Sequence, residues 1–298
     1  MLNYSIIFML SMFALISVSQ ILVFMNRESL SHNFYLRVRS WFWMLAALTL
    51  FVLLPISLMP LLIAFLAFWG SKEIATVAQF STFTTWFFST FITLSILLSC
   101  WSVELMLIVG ITGLITISVC LFLLDNHRYL ASGLTIISSL SFIILFMSCL
   151  FSLTLLISNP NNELSLGYTL YLIFSTQFND AIQYFIGKKF GKKPLCSTIS
   201  PNKTLEGAIG GCVIVSILAT MVALYITPFS LCVAFTISII LTLLGVLGDI
   251  WVSWFKRQVG VKDMGTLIPG HGGVLDRIDS LLIATPVFLI IVESSIFY

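Results

Sequence analysis

Between Gly248 and Asp279 the chain carries Asp249, Asp263, Asp276 and Asp279, and with them Lys256, Arg257, Lys262, Arg277 and His271. From Asp249, Ser253 is i+4, Lys256 i+7 and Arg257 i+8. On a helix these four share one face, the acid deepest and the cations nearer the end. Asp180, followed by Tyr184, Gly187 and Lys188, repeats that spacing, and Asp276 and Asp279 stack at i, i+3. Helices that aim carboxylates at a common point build an oxygen cage suited to Mg²⁺, with Asp180, Asp249, Asp276 and Asp279 as candidate ligands. Read alone, the group Asp276, Arg277 and Asp279 is better explained as a solvated helix start whose acids favour the N-terminal dipole.

Two further stretches carry possible anion chemistry. In Pro269-Gly270-His271-Gly272-Gly273 the glycines permit close backbone approach, and exposed amides beside a helix start favour phosphate. The same five residues also read as a tight turn with an incidental histidine. The loop with Lys188, Lys189, Lys192 and Lys193 runs on to Ser200-Pro201-Asn202-Lys203-Thr204-Leu205-Glu206-Gly207. Its lysines are explained equally well as a topology signal, and Ser200 as a helix cap. Ser200 and Lys203 nonetheless join the candidate anion-binding set.

These groups sit in a chain written for lipid. It is 59% hydrophobic and 9% charged, with a mean hydropathy of +1.10. A soluble domain carries roughly a quarter charged residues. Apolar runs of about twenty residues recur along the chain, without the period-two alternation of a barrel. The expected fold is an all-α polytopic membrane bundle of about ten transmembrane helices. The expected spans are roughly 4–25, two short ones within 41–69 split near Pro55 and Pro60, 80–100, 105–124, 132–158, 166–187, 207–227, 230–255 and 275–297. Lys72 and Glu73 then fall in a loop. The first run lacks a basic leader and a cleavage pattern, so it reads as a retained helix.

On this map all fourteen lysines and arginines fall on one side. That side is cytoplasmic by the positive-inside rule, with both termini outside. Residues 1–160 read as transmembrane scaffold and 161–298 as the catalytic region of one integrated membrane domain. The net charge of +2 and the absence of a basic block with interleaved aromatics give no reason to expect nucleic acid as a partner. The cysteines show no zinc spacing and read as small core residues. A carboxylate at membrane depth costs a few kcal/mol or more, so Asp180 and Asp249 mark a functional site unless they only pack helices.

The motifs together resemble the phosphatidate cytidylyltransferase (CDP-diacylglycerol synthase) family. The resemblance rests on Ser253, Lys256, Arg257, Lys262, Asp263, Gly265, Pro269, Gly270, His271, Gly272, Gly273, Asp276, Arg277 and Asp279 at the family's spacing. Gly248-Asp249 and the run from Ser200 to Gly207 also resemble it. After its first aspartate the family shows a Thr/Ser-x-Ala-Tyr-like run, whereas this chain reads Ala181-Ile182-Gln183-Tyr184. The small hydroxyl is missing there, which leaves the acceptor lipid open.

The resemblance implies Mg²⁺-dependent cytidylyl transfer from CTP to phosphatidate, releasing pyrophosphate, at one or two metal ions. It implies that Asp249, Asp276, Lys256 and Arg257 are catalytic. Ser200, Lys203, Ser253, Lys262, Gly270, His271, Gly272, Gly273 and Arg277 would bind substrate. It further implies a homodimer. Ten spans with cytoplasmic loops suit a bacterial inner membrane, with the site facing the cytoplasm. Nucleotidyl transfer to another lipid phosphate, a transporter with a midplane site, and a non-catalytic lipid-binding relative are the alternatives.

Overall fold

The computed structural model describes residues 58–77, 81–99, 133–158, 164–267 and 272–294. Among these the chain is mostly helical. In order come α1 (Met59–Val77), α2 (Thr82–Ser99), α3 (Gly133–Ser158) and α4 (Ser165–Phe190), then strands β1 (Pro194–Cys196) and β2 (Ser200–Thr204). The chain continues as α5 (Leu205–Ile226), α6 (Leu231–Gln258), α7 (Leu275–Ile278) and α8 (Leu281–Glu293). The expected spans 4–25 and 105–124, and most of the proline-split pair, lie outside the described residues.

Among the described residues, α1, α5 and α6 are long and apolar enough to cross a membrane, and α2, α3 and α8 contain shorter apolar helices. The protein is a membrane protein by this character. The α5 helix shows why: Ile209, Val213, Ile217, Met221 and Leu224 are exposed along one face. Such a stripe has no place against water, and it suits acyl chains.

The other faces of the helices meet in one core. Phe142 of α3 stacks on Phe255 of α6 with centroids 4.3 Å apart, and Tyr168 of α4 packs against Phe229 and Phe288. Hydrogen bonds between α4, α5 and α6 add to the packing. Tyr171 Oη lies 2.7 Å from Ser238 Oγ and donates to the Ala234 carbonyl at 3.1 Å. Asn179 Nδ2 donates to the Thr242 carbonyl at 3.1 Å, and Ser216 meets Thr242 at 3.2 Å. Polar groups left unpaired in an apolar bundle are costly, so these bonds also fix which helix faces meet.

Three expectations change. Lys72 and Glu73 lie within α1, not in a loop. The charges are compensated where they stand: Lys72 sits over the Trp69 and Trp86 rings, at 4.7 and 5.1 Å, and Glu73 accepts two backbone amides. The polar stretch after α4 contains an antiparallel hairpin, with Pro194 opposite Thr204 and Cys196 opposite Ser200. The last span is two helices. At the break Asp279 Oδ1 captures the Ser280 amide at 2.9 Å, and a side chain that bonds its own backbone competes with the helical ladder. The expected core cysteines divide likewise: Cys149 is buried and Cys232 exposed, whereas Cys100 and Cys120 lie outside the described residues.

Candidate active site

Three elements converge where α4 and α6 both end and α5 begins. The α4 helix runs about two turns past the buried Asn179 and Gln183 and carries Lys188 and Lys189 in its last turn, where cations complement the dipole. The hairpin then folds back. Its base is held by Glu206, whose carboxylate accepts the Lys192 and Lys193 amides at 3.0 and 3.2 Å. The cap of α5 is Thr204, whose hydroxyl accepts the Gly207 amide at 3.2 Å; Ser200 does not serve as that cap. Arg257 of α6 ties down the hairpin's far end, donating through Nε to the Ile199 carbonyl at 3.3 Å.

A pocket of about 640 Å³ lies between these elements. Its wall is Asp180, Gln183, Tyr184, Gly187 and Lys188 of α4, Ser200, Lys203 and Thr204 of the hairpin, and Asp249 of α6. That volume is in the range of sites that enclose a small organic ligand. Lys203 forms an ion pair with Asp249 across the floor. Asp180 Oδ1 is buried without a hydrogen-bond partner, as are Asn179 Oδ1 and Gln183 Nε2. Asp279 repels Asp180 electrostatically, with Lys203 and Arg277 as countercharges. Burial pushes the Lys203 pKa below its ordinary value, opposed by the carboxylates of Asp180 and Asp279.

A second cluster stands beside the pocket. Asp276 Oδ1 accepts from Lys256 Nζ at 2.9 Å, while Oδ2 accepts the Met264 amide at 2.8 Å and the Gly273 amide at 2.9 Å. Both oxygens of Asp276 are thus engaged in holding Lys256 and the glycine segment. Gly272 has φ +82°. Ser253 lies 3.5 Å from Asp249 and is buried, whereas Lys262 and Arg257 are exposed. Arg277 is half-buried, with Nε buried and without a partner. Gly270 and His271 lie outside the described residues.

The structure therefore brings together Asp180, Asp249, Ser200 and Lys203 in one pocket, and Lys256, Asp276, Gly272 and Gly273 in an adjoining clasp. No group of three or more metal-ligating side chains forms among the described residues. The donor set is nonetheless suited to a hard divalent cation. Asp180 keeps an unpaired buried oxygen, and among the described residues Asp249 pairs with the Lys203 ammonium and lies 3.5 Å from the Ser253 hydroxyl. Mg²⁺ is held in many sites by one or two carboxylates, with water and substrate phosphate completing the shell.

The sequence model of the cytidylyltransferase family matches residues 35–295. The chain belongs to the cytidylyltransferase family. Among similar proteins, the phosphatidate cytidylyltransferase of Aquifex aeolicus is 40% identical over 129 residues, covering 43% of this chain and 48% of that protein. The phosphatidate cytidylyltransferase of Staphylococcus aureus is 42% identical over 132 residues, 44% of this chain and 50% of its own. An uncharacterised protein of Escherichia coli, YnbB, is 42% identical over 119 residues, 40% of each chain. The matched segment spans about half or less of these relatives' length.

Two residues of this family member were not singled out by sequence reasoning. Gln183 was noted only as a departure, and it lines the pocket beside Asp180. Glu73 was assigned to a loop. A signal existed for Glu73: an acid inside an apolar run is expensive and needs a partner.

Proposed function

We propose that this cytidylyltransferase-family protein transfers the cytidylyl group of CTP to the phosphate of phosphatidate, giving CDP-diacylglycerol and pyrophosphate. The observation that carries the reading is the pocket in which Asp180 and Asp249, from separate helices, face Lys203 and Ser200 of the hairpin. Two carboxylates and an ammonium suit a cation-bridged polyphosphate better than a neutral ligand. The names of the relatives from Aquifex and Staphylococcus support the substrates.

In this reading a phosphate oxygen of phosphatidate attacks the α-phosphorus of CTP. The bond from that phosphorus to the α,β-bridging oxygen breaks, and pyrophosphate leaves with the electron pair. The lipid phosphate is already ionised, so no covalent enzyme nucleophile is needed. The protein's work is positioning and charge neutralisation. Asp180 and Asp249 would hold Mg²⁺, which when bound supplies charge neutralisation at the phosphates. Lys203 contributes positive charge at the pocket floor, and Ser200 and Tyr184 line its wall. Lys256 and Asp276 act from the clasp, setting the glycine segment against the phosphates. Lys188 and Lys189 close the helix end where an anionic headgroup would arrive.

The bilayer suits this division. Acyl chains stay against apolar faces such as that of α5, and the phosphate reaches the polar end of the bundle. In this reading that end faces the cytoplasm, where CTP is available, in keeping with the positive-inside rule.

The test is an assay of protein in phosphatidate-containing nanodiscs with radiolabelled CTP. Mg²⁺-dependent formation of a labelled lipid, with one pyrophosphate per lipid, is expected. Labelled product with another lipid phosphate but none with phosphatidate would correct the acceptor. Nucleotide-independent solute flux in liposomes, without transfer, would support transport instead.

A further inference from the structure

We infer that Glu73, in the N-terminal half of the chain, is a positioning residue for the transfer reaction, holding the glycine segment in register with the pocket. This inference rests on the proposed function.

Glu73 belongs to α1 and is 6% exposed. Its two oxygens reach across about two hundred positions of sequence. Oε1 accepts the Val274 amide at 2.8 Å, and Oε2 accepts the Leu275 amide at 2.9 Å. These amides open α7, whose N-terminal N–H groups have no helical partner of their own. The carboxylate thus supplies from a distant helix the cap that the local sequence omits: Val274 makes no side-chain cap bond.

The surroundings of Glu73 are shaped to it. A Cβ placed on Gly265 would meet Glu73 Oε1 at 2.7 Å, and one placed on Gly273 would collide with the same carboxylate. Glycine at both positions lets two backbone segments close on one side chain. Asp276 grips the same segment from the other side, through the Met264 and Gly273 amides. Two carboxylates, one from each half of the chain, therefore fix consecutive amides from Gly273 to Leu275. A shift of this segment carries Asp276 and its bonded Lys256 with it.

A cap that served α7 alone would call for any local Ser, Asp or Asn. The use of α1 instead couples the N-terminal half to the segment proposed to meet phosphate. The N-terminal half thus has a part in setting the site.

The test compares wild type with Glu73→Gln and Glu73→Ala, full-length and purified in phosphatidate nanodiscs. Glutamine keeps the shape and one acceptor but turns an NH₂ toward the other amide. Faster amide exchange at Gly273–Leu275 is expected in Glu73→Gln, with α5 and α6 unchanged. So is a rise in KM for CTP on the order of 10-fold or more, with KM for phosphatidate within about twofold. The order in kcat/KM should be Glu, then Gln, then Ala, at a melting temperature for Gln near that of wild type. Wild-type exchange and wild-type kinetic constants in Glu73→Gln would overturn the inference. A lowered melting temperature with both KM values unchanged would overturn it too, by showing a purely structural role. A wild type without transferase activity would count against the proposed function, and the exchange measurement would still decide whether Glu73 holds the segment.

Discussion

Lys256 Nζ lies 2.9 Å from Asp276 Oδ1, and this bond joins the end of α6 to the start of α7. Their side chains are 11% and 4% exposed, so water does little to screen the pair. Asp276 was expected to hold Mg²⁺ and Lys256 to neutralise phosphate charge. In the structure the two pair with each other, and the remaining oxygen of Asp276 accepts the Met264 and Gly273 amides. Removing one partner of a buried pair strands the other charge. Lys256→Met should lower stability by about 3–5 kcal/mol, read as a loss of melting temperature in nanodiscs. Lys256→Met with Asp276→Asn should cost less than the sum of the singles, because the two share one interaction.

Asp180 and Asp249 are the proposed ligands of the cation. Asp180→Asn and Asp249→Asn should each reduce transfer by about 10²–10³-fold, with folding retained by gel filtration. The apparent affinity for Mg²⁺ should fall about 10–100-fold, in a titration of activity against free Mg²⁺. EDTA should abolish wild-type transfer, and added Mg²⁺ should restore it. Wild-type activity in a purified Asp180→Asn, Asp249→Asn double mutant would remove the metal assignment.

Lys203 stands between the acids without belonging to either helix. Its loss should act on anion binding while leaving the bundle intact. Lys203→Ala should raise KM for CTP by on the order of 10-fold or more, and Lys203→Arg should recover part of the loss. Unaltered KM in Lys203→Ala would show that its pairing with Asp249 is purely structural.

Gly272 has φ +82°, and a Cβ there would lie 2.6 Å from Asp276 Oδ2. Gly272→Ala therefore meets two penalties. The left-handed backbone costs about 1–2 kcal/mol with a side chain, and the carboxylate must move off the Met264 and Gly273 amides. Reduced melting temperature and reduced kcat together are the expected outcome. Gly260 provides the control, since its φ of +77° carries the backbone cost but no atom lies within 4 Å of its Cβ. Gly260→Ala should lower stability and spare kcat.

Much of the frame is legible in the amino-acid pattern. The helices at Thr82–Ser99, Gly133–Ser158 and Leu205–Ile226 follow directly from apolar run length, because in lipid a backbone must satisfy itself and the helix is the local solution. Run length is blind to compensation, however. Lys72 and Glu73 looked like a loop because each charge alone is too costly for a helix, and only their partners on Trp69, Trp86, Val274 and Leu275 remove that cost. The hairpin was missed for a related reason: its pairing from Pro194 to Thr204 is short and polar, held by Glu206 and Arg257 from neighbouring helices.

The sequence by itself determined which groups are at hand: acids inside apolar runs, cations clustered beside them, and glycines next to the acids. Those follow from residue type and spacing, which helical geometry converts directly into faces. Tertiary structure alone decided the division of labour. Which carboxylate keeps a free oxygen depends on which amides fold back onto it, and spacing does not encode that. Asp276 spends its lone pairs on Lys256, Met264 and Gly273, whereas Asp180 Oδ1 remains unpaired beside Asp249 and Lys203. The same folding brought Glu73 from the first described helix to the glycine segment, a contact that no local pattern contains.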